Sequence, residues 1–427
     1  MLTVTLTSSI TSILFVFTSA MLALVCYEIY KKNKKITKQI HVEDGLKVPP
    51  TPRKLPIIGH LHLLGGYEVP YQAFSFLGKK YGNVVKLQLG QVKCVVVNDQ
   101  KNIREALVTK GHHFDSRPNF QRYKELFSGN KENSLAFCDW SDTQKTRRDM
   151  LKAYTFPRAF SNKFASLETI ISSGTRTLVS QITPGETVDL KPMVLNTLAH
   201  RIRDFIEDRV VEKRYQEFDL ELNPNDYVDS LIKYVKSGDG PELPWNTALF
   251  ALEDIVGGHS AVGNFLIKVF GFLVEQPEVQ KKMQEEIDAV VGTEREVTIA
   301  DRGSMPYTES VIFEAIRLIA SPIVPRVANQ DSSIDGYKIE QGTVLFLNNY
   351  DLSMSEKLWD RPEEFLPFGG GRRSCMGYKM VQLVSFGILG GFLQKYTILP
   401  VENESYKVPI GSLALAKDTF KFRFARR

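Results

Sequence analysis

The sequence predicts a mainly α fold with small β-sheets (α+β), set behind an N-terminal transmembrane helix. Three observations carry this. Apolar residues recur at helical spacing over long stretches: Pro244 to Gln276, Pro277 to Gly292, Tyr307 to Ile319 and Tyr378 to Phe392. Runs with strand character are short and few, Val84 to Leu89 and Lys93 to Val97 around Gly90, then Thr343 to Leu347. Residues Met1 to Tyr27 carry no charge, and Lys31, Lys32, Lys34 and Lys35 follow them. An apolar span of ~20 residues crosses the hydrocarbon core as a helix. A cleaved signal peptide carries its charges before the apolar run, and here they come after it. The lysines therefore face the cytosol, and the rest of the chain lies with them.

Composition bounds the rest. At 427 residues with 43% hydrophobic content, the chain can bury one large core or two smaller ones. Its four cysteines (Cys26, Cys94, Cys138 and Cys375) have neither metal-finger nor disulfide-framework spacing, which fits a reducing compartment. The seven histidines include no His-x-x-x-His pair, which argues against a histidine-bound metal. A net charge of +5 is too small and diffuse for nucleic acid. It suits an acidic electron donor or an anionic membrane face.

Taken in order, residues 1–30 form the anchor, 31–59 a basic and proline-rich linker, and 60–427 the folded domain. Pro49, Pro50, Pro52 and Pro56 stiffen the linker into an extended spacer. Gly90 is placed to turn a hairpin, after which Asn98 to Val108 turns helical. Arg147 and Arg148 follow Trp140 by seven and eight residues, about two helical turns. By themselves they read as a solvated basic face. The Pro244–Gln276 stretch holds Gly257-Gly258-His259-Ser260-Ala261, and glycines inside a long helix signal close approach of another group. Val279, Met283, Ile287 and Val290 line one face of the next helix, with Gly292 placed to cap it. Glu314 and Arg317 share a face of the Tyr307–Ile319 helix, which Pro322 ends, and can pair there.

The chemistry gathers at Phe368-Gly369-Gly370-Gly371-Arg372-Arg373-Ser374-Cys375-Met376-Gly377. Three consecutive glycines cost backbone entropy and point to a chain that must come close to something. A cysteine where loop becomes helix meets unpaired N–H groups and the positive end of the helix dipole, and both favour thiolate. A thiolate ligates metal, and Arg373 offers a planar fork of donors to an anionic group. Alone, Cys375 also reads as a buried structural cysteine after a glycine-rich turn.

The whole decapeptide resembles the haem-binding signature of the cytochrome P450 family, Phe-x-x-Gly-x-Arg-x-Cys-x-Gly. Its defined positions are met at Phe368, Gly371, Arg373, Cys375 and Gly377. The resemblance implies haem b (iron protoporphyrin IX) with Cys375 as axial thiolate. It also implies electrons from NADPH through a separate flavoprotein reductase, and a small lipophilic substrate. The implied location is the endoplasmic reticulum membrane, with the catalytic domain cytosolic. By the same resemblance Arg326, and Trp140 with Arg147 or Arg148, stand near the haem propionates. Glu314 and Arg317 match the family's buried Glu-x-x-Arg pair. Gly258, His259 and Ser260 fall in the central helix, where proton delivery is expected. Gly257 to Asn264 and Gly371 to Tyr378 are similar to the insect Spook-type enzymes of the Halloween group, which implies a sterol or ecdysteroid precursor.

Departures come with the resemblance. Ser260 and Ala261 stand where the family carries an acid and an alcohol. His259 and Ser260 are then either substitute proton donors or polar residues lining the pocket. The segment that gives Glu314 and Arg317 a third partner is missing at 365–367, and the helices that roof the pocket are largely missing near 198–202. Three readings follow: a monooxygenase, a haem-binding protein without that activity, or a truncated, non-functional splice form or gene model.

Overall fold

The computed structural model describes residues 45–159, 161–203, 208–319, 322–355, 366–408 and 420–427; the expected anchor lies outside them. In chain order, α1 (Pro70–Tyr81) leads into the hairpin β1 (Val84–Leu89) and β2 (Val92–Val97). Then comes α2 (Gln100–Arg104), continued by a π-helical turn over Glu105–Thr109. α3 (Gln121–Leu126), α4 (Asp142–Thr155), α5 (Asn162–Ser180), β3 (Thr187–Asp189) and α6 (Leu190–Arg203) follow. Next are α7 (Asp208–Glu217), α8 (Tyr227–Ser237), α9 (Trp245–Glu275), α10 (Pro277–Val290) and α11 (Pro306–Ile319). β4 (Arg326–Val327), β5 (Ser332–Ile334), β6 (Tyr337–Ile339), β7 (Val344–Leu347) and α12 (Asn349–Met354) lead to α13 (Tyr378–Lys395), β8 (Tyr396–Leu399) and β9 (Lys421–Arg426).

The predicted class holds: helices dominate and the sheets are small. β1 and β2 pair antiparallel from Val84↔Val97 to Leu89↔Val92, with Gly90 at φ 60° turning the hairpin. β7 adds parallel to β2, and β4 antiparallel to β7, giving the order β1-β2-β7-β4. A second sheet orders β3-β9-β8, and β5-β6 form a third. The proline-rich run is less of a free spacer than expected, because the Pro50 carbonyl accepts the Lys86 amide and ties it along β1. Gly292 ends α10 as predicted, at φ 70° with its amide donating to the Ile287 carbonyl.

The main core forms where α9, α10, α11 and α13 meet β8 and β9. Phe270 on α9 packs edge-on against Phe392 at 5.2 Å and tilts against Phe422 at 5.8 Å. Each fully buried phenylalanine stabilises the fold by about 1.5–3 kcal/mol. The first half of α9 belongs to another core, packing Ala248, Ala251 and Leu252 against Leu231 and Ile232 of α8. The close approach expected at Gly257 and Gly258 occurs instead at Gly263, where a Cβ would lie 2.5 Å from Leu195 of α6. At Gly257 and Gly258 an added Cβ would meet nothing within 4 Å. That face of α9 borders open space.

Candidate functional site

The Cys375 loop is built by backbone contacts that only its residue types permit. The Cys375 amide donates to the Phe368 carbonyl at 2.9 Å, closing the glycine-rich turn. Gly371 has φ 64°, and a Cβ there would sit 2.0 Å from the Leu107 carbonyl oxygen. What this glycine approaches is therefore the π-turn after α2. Phe368 packs its ring 5.8 Å from Tyr378 at the start of α13. Gly377 is the residue before α13, and its amide donates to Cys375 Sγ at 3.3 Å.

Cys375 remains solvent-accessible, although protein crowds it closely enough for burial to dominate its titration. Burial pushes the thiol pKa up, against the opposing pull of the Gly377 N–H and Arg148. This corrects the expectation that the loop–helix junction lowers it: one amide and one guanidinium do not offset desolvation. A metal binding Cys375 must therefore displace a proton.

Around this loop stands a nest of arginines. Arg326 on β4 is 2% exposed and donates through Nη2 to the Arg373 carbonyl at 3.4 Å. Among the described residues its Nε and Nη1 have no partner, nor does Nη1 of buried Arg373. Arg373 spends its other nitrogens on the carbonyls of Asp115 (3.0 Å) and Cys138. Arg148 on α4 donates to the Ser374 carbonyl. Burial, then Arg373, pushes its pKa down to about 10 while Cys375 pulls the other way. Arg326 is driven well down by burial and then by Arg117, Arg373 and Arg148.

The sequence treated Arg147 and Arg148 as one pair, but the helix separates them. Adjacent residues on a helix point about 100° apart. Arg147 is buried and donates to the carbonyls of Asn133 and Glu132, both at 3.2 Å, and to Cys138 Sγ at 3.6 Å. Trp140 lies under Arg372 and Arg373, with guanidinium carbons 5.1 and 5.5 Å from the ring centre. It acts on the nest from below by cation–π contact.

Two residues here carried no signal in the sequence. Asp115 is a buried carboxylate; it accepts from Asn329 at 2.8 Å and pairs with Arg372 at 3.3 Å. Arg117 ties the Val324 and Pro325 carbonyls (both 3.1 Å) to the Ala136 carbonyl (3.2 Å). On α9, Asp254 clamps the neighbouring loop by accepting from Ser134 Oγ at 2.7 Å and the Leu135 amide at 2.5 Å. Ser260 turns its hydroxyl back onto the Gly257 carbonyl at 2.9 Å; it and Gly258 are exposed, and His259 is half-buried.

Glu314 and Arg317 pair as the spacing predicts, Arg317 Nε and Nη2 reaching the two carboxylate oxygens at 2.8 and 2.6 Å. Arg317 also donates to the Ser353 carbonyl of α12. The pair is not buried as the resemblance implies: the Glu314 side chain is 47% exposed and that of Arg317 16%.

A large, mainly helical fold with an accessible thiol above a cationic nest is the architecture of a haem-thiolate protein. The unpartnered donors of Arg326 and Arg373 fit the carboxylates of a porphyrin. The chain belongs to the cytochrome P450 family, whose profile matches residues 49–196 and 189–424. It is 31% identical to cytochrome P450 307a1 of Drosophila melanogaster, a Spook-type relative, over 87% of this chain and 88% of that one. Steroid 17-alpha-hydroxylase/17,20 lyase of Ictalurus punctatus is 26% identical, covering 84% and 87%. The fold matches a zebra fish cytochrome P450 solved with abiraterone (TM-score 0.72, 23% identity), over 84% of this chain and 99% of that one.

Proposed function

We propose that this chain is a membrane-anchored haem-thiolate monooxygenase acting on a lipophilic, sterol-like substrate, with Cys375 as the thiolate that would hold the haem iron. The observation that carries it is the set of buried guanidinium nitrogens on Arg326 and Arg373 that, among the described residues, lack partners beside the Cys375 loop. Bound haem would supply the redox chemistry, placing one atom of dioxygen in the substrate and the other in water. Two electrons come from NADPH through a flavoprotein reductase. Arg326, Arg373 and Arg148 would hold the carboxylates of a bound haem by charge-assisted hydrogen bonds. Trp140 steadies Arg372 and Arg373, and Arg147 fixes the Glu132–Cys138 loop. Gly377 N–H and Arg148 stabilise the thiolate once its proton has left. The open face at Gly257 and Gly258 leaves room for substrate, with His259 and Ser260 the polar groups nearest in sequence for moving protons. The sterol class rests on the names of the steroid hydroxylase and Spook-type relatives. The endoplasmic reticulum location, with domain 60–427 cytosolic, rests on the family and on the lysines that follow the uncharged Met1–Tyr27 stretch.

A shortened, inactive chain is the second reading, and specific observations favour it. The alignment to the Drosophila relative spans 477 positions, whereas 87% of this chain is about 371 residues. About a hundred positions of the relative thus face no residue here. The family profile matches in two pieces that meet at residues 189–196, close to the gap expected near 198–202. The half-exposed Glu314 fits a second gap at 365–367. The carbon-monoxide difference spectrum of the reduced protein in membranes decides between them. A red-shifted Soret band is expected for thiolate-ligated haem. Its absence, beside a control chain with both stretches restored, would establish the inactive form.

A further inference from the structure

Two polar atoms stand unmet on the second half of α9. Lys268 is fully buried, and among the described residues its Nζ has no partner. One turn earlier on the same face, Asn264 holds a buried Oδ1 that also lacks one. The two do not bond each other, although side chains four apart on a helix are neighbours. The surroundings give a positive field and no counterion. Gly263 lies against α6, where an added Cβ would meet Leu195 at 2.5 Å and Val194 at 3.7 Å. Lys268 is about 7.5 Å further along α9, and the α6 charge that reaches it is Lys191 in the first turn. It therefore lies toward the positive end of the α6 dipole. α6 has no acidic residue, nor does α9 from Ile255 to Val274. Asp189, just before α6, spends Oδ1 on the Lys191 amide at 3.2 Å. Burial, then Lys191, pushes the Lys268 pKa down to about 8, and among the described residues no carboxylate pulls it back. A cation buried in this way is costly until something pairs with it.

We propose that Lys268 and Asn264 bind a small oxyanion that keeps a proton, of the class of hydrogencarbonate, where α9 meets the start of α6. The two senses of hydrogen bonding select it. Lys268 Nζ donates to the charged oxygen, and Asn264 Oδ1 accepts from the O–H of the same ion. A halide or a fully ionised carboxylate would leave Oδ1 unmet. Size selects too, because an added Cβ at Gly271, three residues past Lys268, would sit only 3.0 Å from the Phe420 ring. The bound ion joins α6 to α9 and supplies the negative charge that neither helix carries there.

The test melts the full chain in detergent below the Lys268 pKa of about 8, where the amine is mostly charged, with gluconate holding ionic strength constant. Sodium hydrogencarbonate is expected to raise the midpoint saturably, by about 3 °C. Formate and chloride should do less. Lys268→Met should abolish the rise, and Asn264→Ala should bring hydrogencarbonate down to the level of formate. The native chain gives a second reading without any substitution: it should broaden the carbon-13 line of labelled hydrogencarbonate, and excess unlabelled ion should restore the line. An equal rise in the Lys268→Met chain overturns the proposal, as does a line that the native chain leaves sharp. A carbamate trapped on Lys268 by triethyloxonium also overturns it, because the guest is then covalent carbon dioxide and not a bound ion.

Discussion

The loop carrying Cys375 and the helix carrying Glu314 are finished to different degrees. Around Cys375 each segment is tied to another: Gly371 to the π-turn, Arg326 to the Arg373 carbonyl, Arg148 to Ser374, and Arg373 to Asp115 and Cys138. Around Glu314 a bidentate ion pair stands half in water. The first region depends on short loops and single side chains that bring their own partners. The second depends, by family resemblance, on a neighbouring segment expected to be missing. A binding signature can thus be fully tied in a chain whose helix ion pair stands half in water.

Four substitutions sharpen this contrast. Cys375→Ser is expected to abolish the red-shifted carbon-monoxide band entirely. Melting of the haem-free chain should move by less than about 1 kcal/mol, because the side chain is accessible. Arg326→Met should act with opposite signs on the two states. Haem retention, measured by transfer to apomyoglobin, should fall at least about tenfold with a charge-assisted contact of about 1.5–3 kcal/mol lost. The haem-free chain should become more stable, since a buried cation with unpartnered nitrogens leaves the interior. Equal retention would remove Arg326 from the site.

Lys268 carries the comparison into α9. It is fully buried, its Nζ has no partner among the described residues, and burial, then Lys191, pushes its pKa from 10.5 down to about 8. Between those values the unfolded chain binds the proton and the folded chain does not, so stability should rise with pH from about 8 to 10.5. Below pH 8 the full cost applies. Lys268→Met should therefore stabilise the chain at pH 7 by up to about 3 kcal/mol and flatten that rise, as read by denaturant melts at several pH values. Glu314→Gln is the smallest change. With the carboxylate half exposed, its loss should cost under about 1 kcal/mol, and a larger cost would mean the pair is buried in solution.

Much of this was legible beforehand. Helical periodicity located α10, α11 and α13, and the glycine between two β-rich runs located the first hairpin. The signature located the Cys375 loop, because residue types at fixed short spacing describe one turn of backbone. What stayed hidden is non-local. Nothing in the sequence near Asp115 or Arg117 says that they meet residues over two hundred positions later. Two neighbouring arginines look equivalent until the helix aims one at Ser374 and the other at Glu132. The cysteine's pKa is pushed up, not down, because dipole and amide act locally, whereas desolvation sums over everything nearby.

α9 has a consequence for cooperativity. Its first half is held by one apolar core and its second half by another, and the open face at Gly257 and Gly258 lies between them. A molecule resting there would lie between residues of both cores. Its binding energy would then count toward both, so saturating ligand should raise the melting temperature of the whole domain. The open face is also the seam between the two cores.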